Sequence, residues 1–249
     1  MRFVLTPDWF VGKDVLIEIF SFIILLAFCY LAYRNYKLNK RNKSLFYLGL
    51  GFGLVALSEF AGILTRLVLY YDIGPSREIG QAIITSHLLT SVNIFYSAGF
   101  FFQRFFMLLG LYIIYRLPRE HKSIGDYFLV AYLILMSALL GNEFYYLFNI
   151  AALFLLVMIT ANYYEVYLKN RFVNTKILLF GFGVLAFSQF VFIFSDIADI
   201  FVAGSFIELI GYTILLILMV RIVKYGKKTW PYGDNIRHAG NDSTEKRRH

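Results

Sequence analysis

Residues 44–66 read SLFYLGLGFGLVALSEFAGILTR, and residues 174–196 read NTKILLFGFGVLAFSQFVFIFSD. Set 130 positions apart, residues 41–60 and 171–190 agree at eight of twenty places: Arg41/Arg171, Leu48/Leu178, Gly51/Gly181, Phe52/Phe182, Gly53/Gly183, Ala56/Ala186, Ser58/Ser188 and Phe60/Phe190. The shared core G-F-G-x-x-A-x-S-[EQ]-F is too unusual for coincidence. An internal repeat is therefore expected, and a repeat decides the fold before any single helix does.

The composition around these passages belongs to a bilayer. The chain has 249 residues, 59% hydrophobic and 16% charged, with a mean hydropathy of +0.64. Soluble domains hold roughly 45–50% apolar and about 25% charged residues. The net charge of +8 does not point to nucleic acid, because the basic residues sit in short gaps between apolar runs. The single cysteine, Cys29, lies inside such a run and excludes an intrachain disulfide. The first run is too long for the core of a removable signal peptide and has no small-x-small cleavage site behind it.

A helix needs about 20 apolar residues to cross ~30 Å of hydrocarbon. Seven runs meet or approach that length: Val15–Tyr33, Ser44–Tyr70, Ser91–Leu117, Ile124–Leu140, Phe144–Leu168, Thr175–Ile200 and Gly204–Tyr225. The third helix has an alternative start as early as Glu78, within a polar-tinged outer connection over 71–90. Of the 24 Lys and Arg residues, 19 fall in alternate gaps and in the tail, on one side of the bilayer. Lys and Arg are retained on the cytoplasmic face. The N-terminus is thus expected outside, the C-terminus in the cytoplasm, and the protein in the cell membrane.

The repeat extends past its core. Leu25/Leu155, Leu26/Leu156 and Tyr33/Tyr163 align the first run with the fifth. At an offset of 105, Gly99/Gly204, Phe101/Phe206 and Arg116/Arg221 align the third with the seventh, and Gln103 falls opposite Glu208. The expected fold is all-α, with seven transmembrane helices arranged 3+1+3. A first three-helix repeat spans 1–123, a linking helix 124–143, a second repeat 144–225 and a basic tail 226–249. An odd triplet followed by one linker gives both copies the same direction, and such parallel repeats meet near the membrane midplane.

In helix order this layout resembles the sugar-transporting SWEET proteins. The resemblance implies a carrier with its site between the repeats. It stops at the layout: the Pro-Gln pair of SWEET repeats is missing, and no proline lies within any span. Retinal-binding seven-helix proteins attach their chromophore to a lysine in the last span, and Gly204–Ile222 contains none.

Charged side chains inside spans cost ~2.5–3.5 kcal/mol on insertion scales and normally face protein or water. Glu59, Arg104 and Glu208 lie well inside. The repeat sets Glu59 against Gln189, Gln103 against Glu208, and Arg66 against Asp196. Packing of the two copies about an axis brings Glu59, Arg104, Gln189 and Glu208 to a shared site, with Gln103, Ser58 and Ser188 beside it. Arg66 and Asp196 become candidates to pair near the outer surface. The plainer alternative is that these groups only bond neighbouring helices, as a Glu59–Arg104 pair would. The small-residue stripe Gly51, Ser58, Gly62 and Thr65 suits close helix packing.

Of the four histidines only His87 approaches a span, so neither a two-histidine haem nor a histidine-rich metal site is expected. No Ser–His pairing, nucleotide loop or paired-carboxylate metal motif appears. No cofactor is expected, and an intramembrane enzyme stays a residual possibility. The basic inner face suits anionic lipid headgroups. The residues therefore point to a carrier or channel-like protein for a small solute or ion. The alternative is a non-catalytic seven-helix sensor or membrane subunit, docking a partner protein through its basic cytoplasmic face, or a homo-oligomer.

Overall fold

The computed structural model describes residues 10, 12–38, 40, 43–72, 84–117, 130, 134–135, 145–195 and 197–225. Among them every regular element is α-helical: α1 (Lys13–Leu38), α2 (Lys43–Asp72), α3 (Ile84–Arg116), α4 (Tyr145–Asn170), α5 (Val173–Phe192) and α6 (Ala198–Tyr225). All six are long and apolar enough to cross a membrane. The protein is an all-α, multi-pass membrane protein. Most of the expected linking helix 124–143, the centre of the 71–90 connection, Asp196 and the tail 226–249 lie outside the described residues. Within the linking segment Val130, Ile134 and Leu135 are helical, and Ile134 is buried in the main core.

The helices are turned for lipid. On α5 the small and polar residues Gly181, Ser188 and Gln189 are buried, while Phe180, Phe187 and Phe190 are about half exposed. Water would not tolerate such aromatic faces on six helices, whereas acyl chains cover them at no cost.

Among the described residues, element order agrees with six of the apolar runs except at one junction. The sequence reads Thr175–Ile200 as one span and starts the next at Gly204. The helix instead ends at Phe192, and α6 begins at Ala198. Between them Ile193, Phe194 and Ser195 make i→i+3 bonds back to Phe190, Val191 and Phe192, the tighter turn that commonly closes a helix. No glycine or proline marks the break, so hydropathy alone runs across it. α3 begins at Ile84, between the two starts considered for it.

Packing follows a closed order. α2 lies between α1 and α3, α5 lies between α4 and α6, and the two groups meet through α3 with α4 and α1 with α6. The third helix of each group thus touches the first helix of the other. Those cross-contacts are between parallel helices. Arg104 of α3 reaches the Phe148 ring of α4, and further along both helices Asn162 Nδ2 donates to Tyr115 O at 3.2 Å. Phe10, just before α1, packs against Phe201 and Phe206 near the start of α6.

The G-F-G motif acquires a meaning here. A Cβ on Gly51 would lie 2.7 Å from Ile114 Cγ1 and 3.1 Å from Gly110 O on α3. One on Gly181 would lie 2.7 Å from Leu215 Cδ2 on α6. Each glycine lets α2 or α5 press onto the third helix of its group. The phenylalanine that follows then points the other way, and Phe52 and Phe182 stack on each other at 6.4 Å with planes 12° apart. Phe28 stacks on Phe52 at 4.9 Å and Tyr163 on Phe182 at 5.8 Å. Four rings thereby form a continuous pile from α1 to α4 through the centre of the bundle.

At the α4–α5 turn, Arg171 is the only described non-glycine residue with positive φ, at 50°. Its N–H bonds Tyr167 O at 2.7 Å, the left-handed helix end that glycine favours. Arg171→Gly is expected to raise stability by about 0.5–1 kcal/mol. A higher midpoint for thermal unfolding in detergent checks this; an unchanged or lower one refutes it.

Candidate functional site

The charged groups inside the spans gather along the seam between the two helix groups, in two tiers. The first tier is an ionic clasp. Asp14 and Glu18 stand four residues apart, on one face of α1. Arg66, near the far end of α2, reaches both: Nη1 lies 3.0 Å from Asp14 Oδ2 and Nη2 lies 3.0 Å from Glu18 Oε1. The fork geometry of the guanidinium suits two separate carboxylates. The repeat had set Arg66 against Asp196, which lies outside the described residues. Asp14 and Glu18 are the partners the structure gives it.

Deeper in the seam lies the second tier. Glu59 is buried and accepts a hydrogen bond from the Tyr212 hydroxyl at 3.1 Å. The bond joins α2 of the first group to α6 of the second. Glu208, one helical turn before Tyr212, is partly buried on the same helix. Glu18, Arg66 and Glu208 are all near enough to Glu59 to act on it electrostatically. Gln189 is 4% exposed, and its Oε1 has no hydrogen-bond partner among the described residues. Tyr212 carried no signal in the sequence beyond being one of 19 tyrosines. Only its place one turn after Glu208 hints at it.

Gln189, Glu208 and Tyr212 line one cavity, otherwise bounded by apolar residues that include Leu25, Val55, Met107, Leu156 and Phe182. The centre of a water-sized sphere can move through about 20 Å³ of it. One water needs ~10–15 Å³ by that measure, so in this form the cavity takes a water-sized occupant and nothing as large as a sugar.

The remaining expected residues fall around this centre. Gln103 packs its amide against Gly62, where an added Cβ would lie 2.6 Å from Nε2. Ser58 is buried, and its Oγ has no hydrogen-bond partner among the described residues, while Ser188 donates to Leu185 O at 2.8 Å. The Arg104 guanidinium lies 5.6 Å from the Phe100 ring centroid and 5.9 Å from that of Phe148. One ring comes from α3 and the other from α4, a cation–π setting. His87 lies on α3 with its side chain outside the described set. Among the described residues no group of three His, Cys, Asp or Glu is placed to hold a metal ion.

No family model, curated protein or solved structure matches this chain.

Proposed function

We propose that this protein is a seven-crossing carrier or channel-like protein for a small solute or ion, with its site between two parallel three-helix repeats. The observation that carries the reading is the buried bond from Tyr212 of the second group to Glu59 of the first, beside a cavity whose lining includes Gln189, Glu208 and Tyr212. Polar side chains buried in a bilayer protein at the junction of its halves mark pathways more often than lipid-facing surfaces do.

Several features support the seven-crossing layout. Because α3 and α4 run parallel, the chain must return across the bilayer between them. The intervening segment contains the Ile124–Leu140 run, and Ile134 within it is buried in the core. The reciprocal packing of third helix on first helix is what a two-fold axis along the membrane normal produces. Phe52 stacking on Phe182, its repeat equivalent, suits the same axis. The basic gaps in turn favour a cytoplasmic C-terminus.

The test is flux through the purified protein in liposomes, across a panel of inorganic ions and small neutral solutes. Wild-type vesicles are expected to exceed empty ones, and Glu59→Gln is expected to lower the rate by at least about tenfold. Flux that is absent for the whole panel would favour the sensor or membrane-subunit reading.

A further inference from the structure

We propose that the paired ends of α1 and α2 form a binding site for an anionic phospholipid, with Arg34, Lys37, Lys40 and Lys43 around its phosphate. The proposal goes beyond the carrier reading and does not depend on it.

The site lies at the end of the bundle opposite the Arg66 clasp. Arg34 and Lys37 stand in the last turns of α1, Lys40 in the turn that follows, and Lys43 opens α2. All four residues are exposed. From Ile19 to Ser58 the sequence holds no Asp or Glu. Along their own helices the nearest acids are Glu18, sixteen positions before Arg34, and Glu59, sixteen after Lys43, each about 24 Å away along the axis. Among the described residues none of the four forms an ion pair. Their charge therefore lacks a countercharge within the two helices.

Next to the charges the two helices share a cluster of rings. Tyr36 of α1 packs on Phe46 of α2 at 5.4 Å, and Phe46 packs on Tyr47 at 5.8 Å. Along α1 the exposed residues Ile23, Leu26, Tyr30, Tyr33 and Lys37 recur at three- and four-residue spacing, so they share one face. On α2 the exposed Leu57, Leu50, Tyr47 and Lys43 repeat the order. Each face thus runs from aliphatic to aromatic to basic toward the helix end. An anionic phospholipid has the matching order of acyl chain, interfacial glycerol and phosphate. Tyrosine rings settle at that interface, and Lys and Arg draw anionic headgroups. A zwitterionic lipid carries its own cation beside the phosphate and gains less.

The second repeat is built differently. At 130 positions on, Arg34, Lys37, Lys40 and Lys43 become Tyr164, Tyr167, Asn170 and Val173. The α4–α5 turn has Lys169, Arg171 and Lys176, with Glu165 nearby on α4. Those three suffice to mark a side of the bilayer, so orientation alone does not call for the denser cluster on α1 and α2.

Native mass spectrometry of the full-length protein, stripped of lipid in neutral detergent, tests the proposal. One phosphatidylglycerol should stay bound per chain, with phosphatidylcholine at least about tenfold weaker. Lys37→Gln should weaken phosphatidylglycerol about fivefold, and Lys37→Gln with Lys40→Gln and Lys43→Gln about a hundredfold. The three lysines are exposed, so both variants should keep wild-type thermal stability in lipid-free detergent. Lys169→Gln with Lys176→Gln should change affinity less than about threefold. Glycerol phosphate, the headgroup without chains, should bind at least about tenfold more weakly than the lipid. Equal binding of the two lipids overturns the proposal, and so does a folded triple variant with wild-type affinity. An equal loss from the Lys169 and Lys176 changes would show a diffuse charge effect in place of a site. Glycerol phosphate bound as tightly as lipid would make the ligand a free phosphate. None of these results bears on the carrier reading, which the flux measurement decides.

Discussion

Arg66→Met is expected to cost about 3 kcal/mol of stability, because it strands two carboxylates inside the bundle. The penalty for removing one member of a buried ion pair is ~3–5 kcal/mol. Arg66 is 23% exposed against 3% and 11% for Asp14 and Glu18, so some solvent reaches the clasp and the lower figure applies. The loss comes mainly from the charges left behind. Arg66→Met combined with Asp14→Asn and Glu18→Gln should therefore recover at least half of it. Unfolding in mixed micelles measures both proteins. Equal stability of Arg66→Met and wild type, or no recovery in the triple variant, would show that the clasp contributes nothing to stability.

Gly110→Ala is expected to be nearly as damaging, at about 2–3 kcal/mol, although it adds a single methyl group. That methyl would lie 2.7 Å from Gly51 O and 3.0 Å from Val55 N. Both are backbone atoms of α2, which cannot rotate away as a side chain can. The helices would have to separate, and the Glu59 and Phe52 that α2 carries would move with it. Gly183→Ala provides the contrast. Its nearest neighbour would be Thr160 Cγ2 at 3.9 Å, ordinary contact, and alanine is the better helix former by ~1 kcal/mol. The second glycine of the same motif should thus accept alanine with no loss. Thermal unfolding of the two variants side by side decides the matter, and a destabilised Gly183→Ala would contradict the packing described here.

The sequence disclosed the helices and the seam better than it disclosed the pairings. Apolar runs are set by the bilayer thickness, so Val15–Tyr33 and Ser44–Tyr70 fall inside α1 and α2. The G-F-G repeat marked the residues that meet at the centre, because close packing and ring stacking demand the same residues in both halves. Gln189 and Glu208 were legible for a related reason, being polar where lipid allows little polarity.

The clasp was not legible. Repeat symmetry paired Arg66 with Asp196, but Asp14 and Glu18 exist only in the first copy: their equivalents at 130 positions on are Phe144 and Phe148. The signal that would have found them is local, two acids four apart at the start of an apolar helix. Tyr212 was hidden for a different reason. A tyrosine in a span reads as an interface anchor, and only the folded chain shows its hydroxyl turned onto Glu59. The Phe192–Ala198 break was hidden because no glycine or proline interrupts the apolar run there.

The two closures of this seam obey different solvents. Phe52 and Arg66 lie fourteen positions apart on α2, about 21 Å along its axis. Near Arg66 the seam is shut by opposite charges that are partly exposed, at Phe52 by stacked rings that are buried. Dissolved electrolyte weakens attraction between charges within reach of solvent and leaves ring contacts untouched. The seam is therefore unequal in temperament: brine loosens the latch at Arg66 and leaves the pile of rings as it is.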